Sequence, residues 1–158
     1  MTQEDKDLLL KDLCARLPYN VMCRVKFCYK YNDGTMRKGH KDEMLNIEIL
    51  DVFLNGSDAV EKIQLYLRPM SSMTEEEVEE IRILLNNSNC GRVINKENFA
   101  KEGFGVLWFT NMCPTECVGH TMMSIVIDWL NKHHFDYRGL IEKGLAIEVT
   151  EENNPYKN

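Results

Sequence analysis

Positions 133 to 138 hold two adjacent histidines, a phenylalanine, an aspartate, a tyrosine and an arginine. A histidine oriented by a carboxylate can act as a general base or hold a metal. His133, His134, Asp136, Tyr137 and Arg138 are therefore one candidate site. The residues upstream offer a simpler role. His133 continues an apolar stripe at helical spacing, and His134 falls near the helix C-terminus, where positive charge is favoured. Asp136 can cap a following short helix through "YRGLIEK", which Gly144 would end. Phe135 and Tyr137 would pin the corner by burial, and Arg138 would pair with an acid. The structural role is the expectation.

Cys113, Cys117 and His120 make a second cluster. Zinc takes cysteine and histidine in a tetrahedral set. A helix beginning near Thr115 would put Cys117 and His120 on one face, with Cys113 just ahead of it. A fourth ligand would have to come through the fold from Cys90, His133 or His134. The two-residue cysteine spacing common in zinc sites is absent. Packed thiols around a loop stiffened by Pro114 are the expectation, with no cofactor; a zinc-stabilised module or metal-dependent enzyme is an alternative.

A third candidate is basic. Between residues 24 and 41 stand Arg24, Lys26, Lys30, Arg37, Lys38 and Lys41 against Asp33 alone. Cations beside aromatics can make a platform for single-stranded nucleic acid. Here strand alternation puts Phe27, Tyr29 and Tyr31 on the face opposite Arg24, Lys26 and Lys30. The aromatics then belong to the core, and the cations would pair with acids such as Glu48. No phosphate loop, dinucleotide glycine pattern, His-Glu-x-x-His or Gly-x-Ser-x-Gly occurs in the chain.

The elements that would position these groups can be read in order. Leu9, Leu10, Leu13 and Leu17 recur at helical spacing over residues 3–16, and Pro18 stops that helix. "VMCRVKFCYKY" alternates as a half-buried strand. "MRKGHKDE" reads as a long polar hairpin tip, "MLNIEILDVFL" as a second strand with a bulge near Leu50, and "VEKIQLYLRP" as a third. Thr74 and Glu77 form a capping box that starts a helix with Val78, Ile81, Leu84 and Leu85 on its buried side. A strand or short hairpin is expected near 92–110, then a helix whose stripe runs from Val118 to His133, and a short strand in "LAIEV". The sum is an α+β fold: a small antiparallel β-meander, open to barrel-like closure, packed with three or four helices. Residues 1–73 supply the first helix and the meander, 74–150 a mostly helical part of the same domain, and 151–158 a loose polar tail.

Composition narrows the function classes. The 158 residues carry a net charge of −6, which argues against broad nucleic-acid binding. Residues 74–158 hold the whole excess, with 14 acids against 8 bases. The N-terminal stretch is charged and unlike a signal peptide, and no run approaches the roughly 20 apolar residues of a membrane helix. A cytoplasmic protein with its six cysteines as free thiols is the expectation.

Two longer segments, "LRPMSSMTEEE" and "HHFDYRGLIEKGLA", carry a resemblance. Within Tyr66–Glu77 and Asp128–Val149 the chain resembles an uncharacterised family of small proteins from Bacteroides and related gut bacteria, found in prophages and other mobile elements. The resemblance brings no activity with it. Together with the weak catalytic signals it implies a non-enzymatic accessory or interaction protein, with a protein partner or a second copy as its contact. Nucleic-acid binding through the basic hairpin is the alternative.

Overall fold

The computed structural model describes residues 1–30, 33–56, 60–87 and 116–157, with Tyr29 and residues 116–123 described by backbone alone. These residues fall into two compact units, Met1–Arg68 with Arg138–Asn158, and Pro69–Tyr137. The class is α+β, and the four-stranded sheet is mixed and open.

In the first unit, helix α1 spans Gln3–Arg16. Thr2 starts it with a reciprocal capping box to Asp5. Its apolar stripe buries Leu9 and Leu13, and Pro18 turns the continuation into a single 3-10 turn, Leu17–Tyr19. Strand β1 (Met22–Lys30) pairs antiparallel with β2 (Met36–Met44), and on its other side with β3 (Val60–Leu67). Helix α2 (Ile47–Asn55) carries the chain from β2 past β1 to β3. Strand β4 (Ala146–Glu148) lies parallel to β3, giving the order β2-β1-β3-β4.

Two expectations fail here for one reason. The expected tip "MRKGHKDE" is β2 itself, and the expected second strand is α2. The break in alternation at Leu50 marks a change to helical period rather than a bulge. Ile49, Leu50 and Phe53 share one helix face against the core, Asn46 caps the start by accepting from the Ile49 N–H at 2.9 Å, and Gly56 ends it at φ 78°. The three strands therefore do not form a meander, because β2 and β3 flank β1 and need a crossover.

The core joins Leu9 and Leu13 of α1, Ile49 and Leu50 of α2, Cys23, Ile63, Leu65 and Leu67 of the sheet, and Leu140 and Leu145. A charge lies within it. Asp12 and Arg16 are both fully buried. Asp12 Oδ2 accepts from Arg16 Nε at 2.6 Å, and Oδ1 accepts from Arg138 Nη1 at 2.7 Å. The anticipated acid partner of Arg138 is thus Asp12.

The expected helix through "YRGLIEK" is only a single turn, so Asp136 caps no α-helix there. Its ending is still helical in kind. Gly144, at φ 66°, donates to the Ile141 carbonyl while Leu145 donates to Leu140, the paired bonds of a Schellman stop. The tail is anchored rather than loose. The Tyr156 hydroxyl accepts from the Met22 N–H at 3.0 Å and donates to the Tyr66 carbonyl at 2.8 Å.

The second unit holds a 3-10 turn at Met70–Ser72, helix α3 (Glu75–Asn87) and helix α4 (Glu116–Lys132). Thr74 and Glu77 make the expected capping box. Ile81, Leu85, Val126, Trp129, Leu130 and Phe135 form the core. Leu84, expected inside, is exposed. The strand or hairpin expected near 92–110 lies outside the described residues.

Replacing Asp12 with alanine leaves two arginines without their shared carboxylate and should cost about 3–5 kcal/mol of unfolding free energy. Tyr156→Phe should cost about 1–3 kcal/mol by stranding the partly buried Met22 amide. Urea denaturation checks both, and a tail that leaves stability unchanged on Tyr156→Phe would contradict the anchoring.

Candidate functional site

The six hairpin cations share one ribbon, and its register decides what each meets. On β1, Arg24 faces Asp42, Lys26 faces His40 and Cys28 faces Lys38. Arg24 and Asp42 form a two-pronged pair at 2.7 and 2.8 Å, with the Arg24 guanidinium 5.4 Å from the Tyr66 ring centre. The Tyr66 hydroxyl donates to Asp42 Oδ2 at 2.9 Å. Lys38 reaches across β1 to Glu61 at 3.0 Å, and Lys41 pairs with Glu43 at 2.7 Å. Of the expected pairings with acids, those of Arg24, Lys38 and Lys41 are seen, and Asp42, Glu61 and Glu43 supply them. Arg37, Lys30 and Lys38 are exposed. Gly39 stands opposite half-buried Phe27; a β-carbon there would come 2.6 Å from the Phe27 ring, so the glycine makes the ring's seat.

The electrostatics follow from the contacts. The Arg24 hydrogen bonds hold the Asp42 carboxyl below the usual carboxylate range, and the Tyr66 hydroxyl adds to this. Burial, then the bond to Asp42, pushes the Tyr66 phenol up to about 12. Tyr66 thus stays a proton donor at neutral pH. Burial, with Glu43 and Asp42 nearby, pushes the Cys23 thiol up to about 12, which makes it a small core hydrophobe rather than a nucleophile.

β2 is the outer strand of this ribbon. Among the described residues it pairs with β1 only, and seven of its nine residues are exposed. Exposed Met36 and Met44 close its two ends, and exposed Ile47 follows. A long edge strand offers unpaired backbone donors and acceptors to an incoming strand.

The polar corner is a helix stop. His134 sits at φ 61° and donates to the Asn131 carbonyl, while Phe135 donates to Leu130. These are again the two bonds of a Schellman motif, closed by the Phe135–Leu130 contact in the core. His133 stacks on Trp129 at 4.0 Å between ring centres, and the Tyr137 hydroxyl donates to Asn131 at 3.1 Å. Of the thiol cluster, Cys117 and His120 lie three residues apart on α4, and Cys113 lies outside the described residues. Among the described residues no three His, Cys, Asp or Glu side chains converge as a metal set.

A cavity of about 630 Å³ opens in the first unit beside α1, α2 and the Gly144 turn. Leu9, Val52, Phe53, Val60, Ile63 and Leu145 give it an apolar floor. Lys6, Lys62 and Lys143 stand on its rim with Asp5 and Glu61. Lys62 Nζ and Gln64 Nε2 both donate to the Gly144 carbonyl, at 2.9 and 3.1 Å. Sequence reasoning reaches neither this cavity nor the β2 edge. The one sequence signal for the edge is the mixed-charge run "MRKGHKDEM", with two bases before His40 and two acids near its far end.

Compared with known proteins, the chain matches no family model, no curated protein and no solved structure.

Asp42 and Tyr66 give opposite pH limbs. The Asp42 contribution is present above the unfolded carboxyl value of 3.8 and is lost as pH falls through its lower folded value. The Tyr66 contribution is present below 10.0 and is lost as pH rises toward about 12. Stability measured against pH should therefore show a weaker acid limb in Asp42→Asn and a weaker alkaline limb in Tyr66→Phe. Unchanged limbs in both variants would refute the assignment.

Proposed function

We propose that this chain is a non-enzymatic interaction protein that engages a protein partner by strand addition along β2. The observation that carries the reading is the nine-residue outer strand, exposed along most of its length and ended by exposed methionines. Main-chain pairing supplies affinity in this mode, and side chains on alternate faces supply selectivity. Exposed methionines suit such a surface because they repack cheaply against different partners. The resemblance to mobile-element proteins supports an accessory role in the cytoplasm. Among the described residues no helix is long and apolar enough to cross a membrane.

The nucleic-acid alternative draws less support from the geometry. Arg24, Lys38 and Lys41 already face carboxylates, so a phosphate would have to displace Asp42, Glu61 or Glu43. A second reading rests on the cavity. Its apolar floor and three lysines fit a small amphiphilic anion, and its volume lies in the range of ordinary ligand pockets. Octanoate should displace a bound anilinonaphthalene sulfonate dye, and Lys62→Glu should weaken the dye; no dye binding by the folded protein would end that reading.

The strand-addition reading is tested in cells by placing a photoreactive residue at Met36 or Met44, with the same residue at exposed Glu142 as control. Discrete protein adducts should form from the two β2 positions. Equal labelling at Glu142, or none at β2, would refute it.

A further inference from the structure

In the β2 sequence, Met-Arg-Lys-Gly-His-Lys-Asp-Glu-Met over residues 36–44, Arg37 and Lys38 mirror Glu43 and Asp42 about His40, while Lys41 mirrors Gly39. We propose that the partner on this edge is a second copy of the same chain, joined through antiparallel β2–β2 pairing around a two-fold axis at His40. The inference rests on the reading of β2 as the interaction edge and names its occupant.

The ladder restricts the choice of register. In an antiparallel pair, facing residues must both direct their backbone groups at the partner or both direct them away. These directions alternate along a strand, so two copies of β2 can slide only in steps of two residues. In the fully overlapped register, Met36 faces Met44, Arg37 faces Glu43 and Lys38 faces Asp42, each twice by symmetry, while Gly39 faces Lys41 and His40 meets its own copy. Every cross-strand pair between charged residues is then of opposite sign, which favours pairing. A two-residue slip one way sets Arg37 against Lys41 and Lys38 against His40. A slip the other way sets Lys41 against itself. Both neighbouring registers thus bring like charges together, and the full overlap is selected.

The within-chain ion pairs of Lys38, Lys41 and Asp42 do not oppose this. Lys38 holds Glu61, Lys41 holds Glu43, and Asp42 holds Arg24. A second strand extends each pair into a network, because a carboxylate has acceptor sites for more than one cation. Lysines and arginines on an edge strand ordinarily repel a second strand. The acids at positions 42 and 43 turn that repulsion into selection for a strand that carries its acids opposite these bases. The chain's own β2 meets the requirement, and it covers Met36 with Met44, exposed by 59% and 49%. A two-fold contact of this kind uses one patch twice and closes on itself.

Sedimentation of the purified full chain over a dilution series tests the proposal. Wild type should show a reversible species of twice the chain mass. Arg37→Glu sets a new carboxylate against Glu43 of the facing strand and should weaken association more than about tenfold, as should Glu43→Arg. Mixing these two variants should restore the dimer, because the unlike chains regain opposite charges at every such pair. The double variant should dimerise alone. Lys38→Glu, on a well-exposed side chain, gives a second single reversal should Glu43→Arg perturb the fold by circular dichroism. A wild type that stays monomeric at every concentration overturns the proposal, as do reversals without effect or a mixture that stays monomeric. In-cell adducts of other mass at β2 would then still stand for a different partner on the same edge, so the two failures are distinguishable.

Discussion

A carboxylate sealed from water needs both counter-charge and hydrogen bonds, and Asp12 finds them in Arg16 and Arg138. Much of the first unit follows from that constraint. Arg16 lies one turn along α1, so the pair fixes which side of the helix faces inward, the side that also buries Leu9 and Leu13. Arg138 comes from the far end of the sequence. Its bond fixes where the chain returns, and Leu140, Leu145 and Ala146 then enter the core that α1 began. With Leu145 set, β4 runs beside β3, and the tail brings Tyr156 onto the Met22 amide and the Tyr66 carbonyl. The long-range order of this unit thus depends on polar groups that the core must keep satisfied.

Where the sequence is legible, a local physical rule is strong enough to act alone. The leucine stripe and Pro18 place α1, and the Thr74–Glu77 box places the start of α3. The corner at 133–138 is legible as a helix stop, and the left-handed residue that closes it is His134, not a glycine. The β2 strand is illegible because a strand wet on both faces has no hydrophobic alternation to read. The α2 segment reads as a strand because Ile, Val and Phe favour strands, and burial of Ile49 and Leu50 with the Asn46 cap decides otherwise. Of the candidate site, the six cations are visible in the sequence. Their carboxylate partners are not, since Asp42 and Glu61 meet Arg24 and Lys38 only through strand register.

The same register changes what a basic cluster means. Counted along the chain, residues 24–41 look like a phosphate-binding ribbon. Folded, much of that charge is turned sideways into pairs between strands, and the Arg24–Asp42–Tyr66 group is drawn tight by mutual hydrogen bonds. Charges held this way contribute geometry more than field. They stiffen the hairpin and set the faces on which its residues stand.

The two edges of the sheet are finished differently, and this bears on where the molecule makes contact. β4 is three residues long, and the Glu148 carbonyl accepts from Asn153 Nδ2 as the tail turns back. Thr150 donates to the same asparagine, so the side chain folds the tail against that edge. Short strands and covering loops are the usual means of stopping a sheet. β2 lacks both devices among the described residues: it is long and exposed, and it carries methionines where a charged stop would serve better. Its guard is charge: Arg37 and Lys38 stand before His40, and Lys41, Asp42 and Glu43 follow it. In the proposed pairing, a guard with both signs in this order would repel a misplaced strand and admit a matching one, which would make the edge selective rather than closed.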